Sequence, residues 1–248
     1  MTITSRADLE GLTRVGRLVA QALRRMRRAA RAGMTTRELD DIGAAFLRTH
    51  GARSAPQLTY NFPGFSCISV NEQIVHGVPG SRRLQPGDVL KIDVTAELDG
   101  FVADAAATVL LDPMSIDALR LKRTARSAFR RAMAVAVAGR PIADIGRAIE
   151  TEVRGAGFAV VKEMCGHGVG RSIHEAPTVP NYFSAMTRGT LRDGMVIAIE
   201  PIIAAKPTRV VEERDGWTLR TMQRCLAAHY EHTVVIRDGE SPLVLTAA

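Results

Sequence analysis

Asp93 and Asp104 are the first residues in the chain whose types and spacing point to joint chemistry. They lie in DVLKIDVTAELDGFVADAAATVL, residues 88–110, two alternating runs joined by Asp99-Gly100. An Asp-Gly pair between such runs marks a β-hairpin. With those two residues as the turn, Leu98 faces Phe101, Glu97 faces Val102 and Thr95 faces Asp104. Side chains alternate with period two, so Asp93 falls on the face of Asp104. Diagonal cross-strand neighbours lie about 7–8 Å apart at Cα, close enough for two carboxylates to converge on cations between them. Left alone, the two charges would repel and one pKa would climb. A single strand Asp can also do no more than cap a turn. Asp104, however, stands among Val102, Ala103, Ala105, Ala106 and Ala107, where an ionised carboxylate needs a partner.

Further along are His167, between Gly166 and Gly168, and Glu200, which ends the apolar run Val196 to Ile199. Glu231 opens the run to Ile236, and His174 follows His167 by seven positions. Each has a plain explanation by itself: a Glu at a strand end is a solvated rim residue, and a His between glycines is a turn residue. Together, two Asp, two Glu and one His form an oxygen-rich set without thiolate. Such a set suits two divalent ions about 3.5–4 Å apart that share and activate one water.

The elements that must position these residues begin with a helix from Asp8 to Ala32. Its apolar face is Leu12, Val15, Val19, Leu23 and Met26, and Gly33 is expected to close it. Thr35 and Glu38 have capping-box spacing and open a second helix to Thr49, stopped by Gly51. Residues 54–66 read as a Pro/Gly-rich loop, followed by a strand from Cys67 to Val70 and the hairpin. After Asp112-Pro113 the pattern restarts, with helices from Ser115 to Ala138 and Ile142 to Arg154. Strands are expected at Phe158 to Val161, Val196 to Glu200, Gly216 to Thr221 and His229 to Ile236. The echo of Asp41-Ile42-Gly43 in Asp144-Ile145-Gly146 marks a duplicated helix-helix-strand unit. The expectation is an α+β fold with pseudo-two-fold symmetry. It forms a single domain over 1–248 with halves 1–111 and 112–248, and functional residues at the junction of the half-sheets.

Composition narrows the setting. The chain has 248 residues, 46% hydrophobic, without an apolar stretch long enough to span a membrane. Its start lacks a signal-peptide core, and three scattered cysteines make no disulfide framework, so a reducing cytoplasm is expected. The net charge is +7, and Lys91, Lys122, Lys162 and Lys206 are the lysines among 33 basic residues, the rest being arginine. Arginine suits phosphate contact. With only 4% aromatic content and no nucleic-acid motif, sequence-specific nucleic-acid binding is not expected.

The segments VNE-x-x-VHG, IDV with DGFxxDAAAT, CGHGVG with HEAP, AIEP and YEHTVV resemble, in this order and over nearly the whole chain, type I methionine aminopeptidases. The resemblance implies the duplicated pita-bread fold. It also implies two divalent metal ions (Co, Mn, Fe(II) or Zn) and removal of the initiator methionine from nascent polypeptides whose second residue is small. By it, Asp93 chelates one metal, Asp104 and Glu231 bridge both, and His167 and Glu200 complete the second site. A bridging hydroxide attacks the scissile carbonyl, with Glu200 as general base. His76 and His174 match the non-ligand histidines that contact substrate, and Tyr60, Phe62, Cys67 and Trp217 match the methionine pocket. Ile173 replaces a usual aromatic, and the 58–66 segment departs from the common form. A proline-directed relative of the prolidase or creatinase type would need an extra N-terminal domain before Asp93. A non-catalytic binding version would be expected to lack ligands. A monomer is expected, with ribosome association through the arginine-rich first helix.

Overall fold

The computed structural model describes residues 1–247. Through the hairpin the elements are α1 (Arg6–Ala29), α2 (Thr36–Thr49), β1 (Arg53–Ser54), α3 (Ala55–Tyr60), β2 (Cys67–Val70), β3 (Gln73–Val75), β4 (Val89–Leu98) and β5 (Phe101–Leu110). Then come α4 (Ile116–Val135), α5 (Ala143–Gly155), β6 (Ala159–Val160), β7 (Cys165–Gly168), β8 (Glu175–Pro180), β9 (Val196–Ile199) and β10 (Ile202–Ala204). The last are β11 (Val210–Glu212), β12 (Leu219–Thr221), β13 (Ala227–His229), β14 (His232–Val235) and β15 (Leu243–Val244). The order helix, helix, strands thus occurs twice.

The apolar stripe of α1 lies flat on the β4–β5 hairpin, with Leu12, Val15, Val19 and Met26 wholly buried. Each such side chain contributes about 1.5–3 kcal/mol by leaving water. Gly11 lets the helix approach this closely, since a Cβ there would meet the Phe101 ring at 2.3 Å. The helix starts on Ser5, whose side chain accepts from Asp8 N–H, and α2 starts on the Thr35–Glu38 capping box. In the second half α4 and α5 close over a second core with Ile197, Ile199, Ile203 and Val234.

Strands β1, β4, β2 and β5 form one sheet, with β5 beside β4, and β15, β14, β9, β7 and β8 form another. They meet between β5 and the β13–β14 segment. There Glu231 N–H donates to Ala106 O at 3.0 Å, and Ala106 N–H donates to Glu231 O at 3.3 Å. Thr233 Oγ1 accepts from Asp104 N–H at 2.8 Å and donates to Asp104 O at 2.9 Å. This seam joins the two halves at the residues singled out for chemistry.

Several elements differ from the expectation. Helix α1 ends at Ala29, because Ala30 already has ψ of 121°; Gly33, at φ +85°, instead shapes a turn whose N–H donates to Leu84 O. The 54–66 segment is not all loop. Ser54 caps α3 with Pro in its first turn, and Asn61 closes it in the left-handed region at φ +58°. The run from His229 to Ile236 is two strands, since Tyr230-Glu231 leaves the ladder where Glu231 turns its backbone to Ala106. His167 lies in a strand rather than a turn. Its flanking glycines are demanded by neighbouring backbone, since a Cβ at Gly166 would sit 2.3 Å from Ala198 O and one at Gly168 2.2 Å from Ala176 O.

Candidate metal centre

The hairpin pairs Thr95 with Asp104 and Asp93 with Ala106, so the two aspartates are diagonal neighbours on one face. Across the seam, the backbone exchange with Ala106 sets Glu231 beside them. Glu200 follows β9, its carbonyl held by Asn181 Nδ2 at 2.9 Å. His167 lies opposite Ala198 on β9. Its Nδ1 is 2.9 Å from Gly168 O. A carbonyl only accepts, so the proton sits on Nδ1 and the Nε2 lone pair is free. That Nε2 lies 3.5 Å from Glu200 Oε1 and 4.0 Å from Asp104 Oδ2. The structure therefore brings Asp93, Asp104, His167, Glu200 and Glu231 to one place.

The cluster is withdrawn from water: Asp104 is 6% exposed, His167 8%, Glu200 9% and Glu231 2%. Burial, then the charge of Asp104, pushes Asp93 and Glu200 well above the carboxylate range. Burial followed by Asp104, Glu200 and Asp93 does the same to Glu231. Asp104 rises to about 6 through burial, opposed by hydrogen bonds from Thr95, Asp93 and Ala105. His167 falls to about 4, from burial first and the neighbouring His174 second.

Four carboxylates packed this way require countercharge. Among the described residues no lysine or arginine pairs with them; their basic neighbours are the imidazoles of His167 and His229. Buried Lys91, two positions before Asp93, turns its Nζ to Asn71 O at 2.7 Å and Val89 O at 3.3 Å. Oxygens Asp93 Oδ1, Asp104 Oδ1 and Glu231 Oε1 are buried without a hydrogen-bond partner. Donor atoms of Asp104, His167 and Glu231, and likewise of Asp93, His229 and Glu231, lie within 4.8 Å of one another. Hard oxygen donors with neutral imidazole, orphaned and shared through Glu231, fit divalent cations.

Asp93, His167 and Glu200 of the cluster line a cleft of about 560 Å³ together with His76, His174, Glu175, Thr178 and Met164. His76 stands exposed at the mouth with φ of +56°, and His174 packs its ring 4.3 Å from that of His167. Tyr60 reaches the site through its hydroxyl, 2.6 Å from His174 Nδ1. Cys67 is the Cα partner of Asp93, and burial, then Asp93, keeps its thiol protonated. Phe62 and Trp217 pack edge to face at 5.3 Å, and neither lines the cleft itself. Trp217 sits in the bend before β12 rather than on a strand. Ile173 points into the core at 5% exposure, away from the cleft.

The residue that sequence reasoning missed is His229, buried at 1% with Nε2 3.4 Å from Glu231 Oε2. A signal existed: His229 and Glu231 are two apart, and period two puts such residues on one face of a strand.

Residues 10–238 match the description Metallopeptidase family M24. Among curated relatives, Methionine aminopeptidase 2 of Bacillus subtilis (strain 168) is 43% identical over 248 residues, covering 99% of each chain. A methionine aminopeptidase of Clostridium perfringens is 38% identical over 96% of each. The crystal structure of a methionine aminopeptidase from Thermotoga maritima superposes with a TM-score of 0.96 at 32% identity, covering 100% of both chains. Prolidase from Pyrococcus furiosus shares the fold, with a TM-score of 0.81 at 20% identity, and this chain covers 66% of it. These neighbours share the duplicated pita-bread architecture. With identity sustained end to end, and a buried carboxylate cluster where its two larger sheets meet, the chain belongs to metallopeptidase family M24.

Proposed function

We propose that this protein is a methionine aminopeptidase that removes the N-terminal methionine of nascent polypeptides whose second residue is small. The observation that supports it most is the set of buried, orphaned carboxylate oxygens of Asp93, Asp104 and Glu231, gathered beneath a cleft that Asp93, His167 and Glu200 line. Asp93 would hold one divalent ion, Asp104 and Glu231 both, and His167 and Glu200 the other. When bound, such ions supply Lewis acidity that activates water and stabilises the oxyanion of the scissile carbonyl.

The remaining work falls to side chains. Glu200, as general base, takes a proton from the attacking water and returns it to the leaving amine as the peptide bond breaks. His76 and His174 flank the cleft mouth and hydrogen-bond the substrate backbone; the Tyr60 hydroxyl fixes the ring of His174. Tyr60, beside His174, and Cys67, beside Asp93, would receive the methionine side chain, while the Phe62–Trp217 pair lies outside the cleft lining. Its burial contributes about 1.5–3 kcal/mol.

Purified protein supplied in turn with Mn, Fe(II), Co and Zn should release methionine from Met-Ala-Ser. A peptide with proline second and another residue first should stay intact. No methionine released with any of the metals would overturn the reading.

The proposal extends to the cytosol and the ribosome. Arg24, Arg27 and Arg28 of α1 and Lys122, Arg123 and Arg126 of α4 line one cavity of about 660 Å³. Burial, then Arg27 and Arg126, pushes Lys122 below the usual lysine range, so a polyanion there relieves repulsion. Co-sedimentation with ribosomes should weaken steeply with salt, and its absence at low salt would remove this part. The enzyme acts as a monomer, its cleft built from one chain, and sedimentation velocity should give a single species of 26.8 kDa.

A further inference from the structure

The fold places a second imidazole beside the carboxylates. His229 ends β13, and its backbone is clamped by Thr108, whose Oγ1 donates to His229 O at 2.9 Å and accepts from its N–H at 3.0 Å. The side chain is 1% exposed. Its Nε2 lies 3.4 Å from Glu231 Oε2 and 3.6 Å from Glu200 Oε2. Neither ring nitrogen has a hydrogen-bond partner. An imidazole clamped in the interior with both nitrogens unsatisfied is destabilising, a cost that a ligand role would offset.

The donor geometry identifies what that ligand role is. Asp93, His229 and Glu231 place donor atoms within 4.8 Å of one another, as do Asp104, His167 and Glu231. Each set holds one aspartate and one histidine, and Glu231 is common to both. His167 has its Nδ1 proton committed to Gly168 O and its Nε2 toward carboxylates. His229, at the end of β13, likewise turns Nε2 toward carboxylates.

We propose that His229 is a metal ligand through Nε2, joining Asp93 and Glu231, so that both ions of the centre are held by one imidazole each. This rests on the dinuclear reading given above. Without His229, the ion at Asp93 would have only carboxylate oxygens from the protein, a set that suits Mn or Mg. An added imidazole shifts the preference toward Fe, Co and Zn.

The test is X-ray absorption on the protein loaded with two equivalents of Co(II), where outer-shell scattering counts imidazoles. The expected fit is about one imidazole per ion, and His229→Gln should lower it to about one half. In titration calorimetry followed without substrate, the same variant should keep one tight ion and bind the other about 10–100-fold more weakly. His167→Gln should weaken the other ion instead. A wild-type count near one half per ion overturns the proposal, as does a glutamine variant with unchanged count and affinities. The wild-type count needs no variant to fold. Uptake of fewer than two ions by the wild type overturns the dinuclear reading itself, and the role of His229 with it.

Discussion

Glu200 keeps its charge only against a cation. It is 9% exposed, burial and Asp104 push its proton affinity up, and its neighbours are two imidazoles at 3.5 and 3.6 Å. Under the proposed function it is this group that exchanges a proton with the attacking water. Glu200→Gln keeps the shape and removes that capacity. Steady-state assays on a Met-Ala-Ser peptide should show kcat reduced about 10²- to 10⁴-fold. Because Glu200 is also assigned to a metal ion, both proteins are assayed with metal in excess, and KM should then change far less than kcat. A variant with undiminished kcat would assign the proton transfer to another residue.

At the scale of elements, the hairpin holds the two aspartates in register, and its turn has its own lock. Glu97 Oε1 accepts from Gly100 N–H at 2.7 Å, and Oε2 accepts from Arg53 Nε at 2.7 Å, tying β1 to the turn. Burial raises the Glu97 carboxyl, but the Arg53 and Gly100 hydrogen bonds outweigh it and hold the pKa below the usual glutamate range. A lowered folded-state pKa gives stability that is fully present above the unfolded value and is lost as pH falls through the folded one. The window therefore lies below about pH 4.5, the model glutamate value. Denaturant midpoints of Glu97→Gln should lie below those of the wild type at neutral pH and approach them on acidification through that window. A gap independent of pH would mean the ion pair with Arg53 contributes nothing through charge.

For the whole molecule, the decisive feature is the seam where β5 meets β13 and β14, because residues more than a hundred positions apart share the centre there. Thr233 supplies both hydrogen bonds to the backbone of Asp104. Thr233→Val preserves volume but leaves a buried N–H and C=O unpaired, at a cost of about 1–3 kcal/mol per group. Unfolding in denaturant should show a lower midpoint with an unchanged slope, and metal titration should show weaker uptake. An unaltered midpoint would place the strength of the seam elsewhere. The sequence by itself determined the hairpin and its register, the capping box that opens α2, the amphipathic face of α1 and the residue types of the centre, because each depends on neighbours within a few positions. It did not determine where α1 stops, that Ser54 opens a short helix, or that Tyr230-Glu231 breaks a strand. Only the tertiary structure decided those and the convergence of Asp93, Asp104, His167, Glu200 and Glu231, together with His229. Backbone hydrogen bonds to distant strands, such as Glu231 to Ala106, outweigh local periodicity at the seam, and no spacing along the chain encodes them.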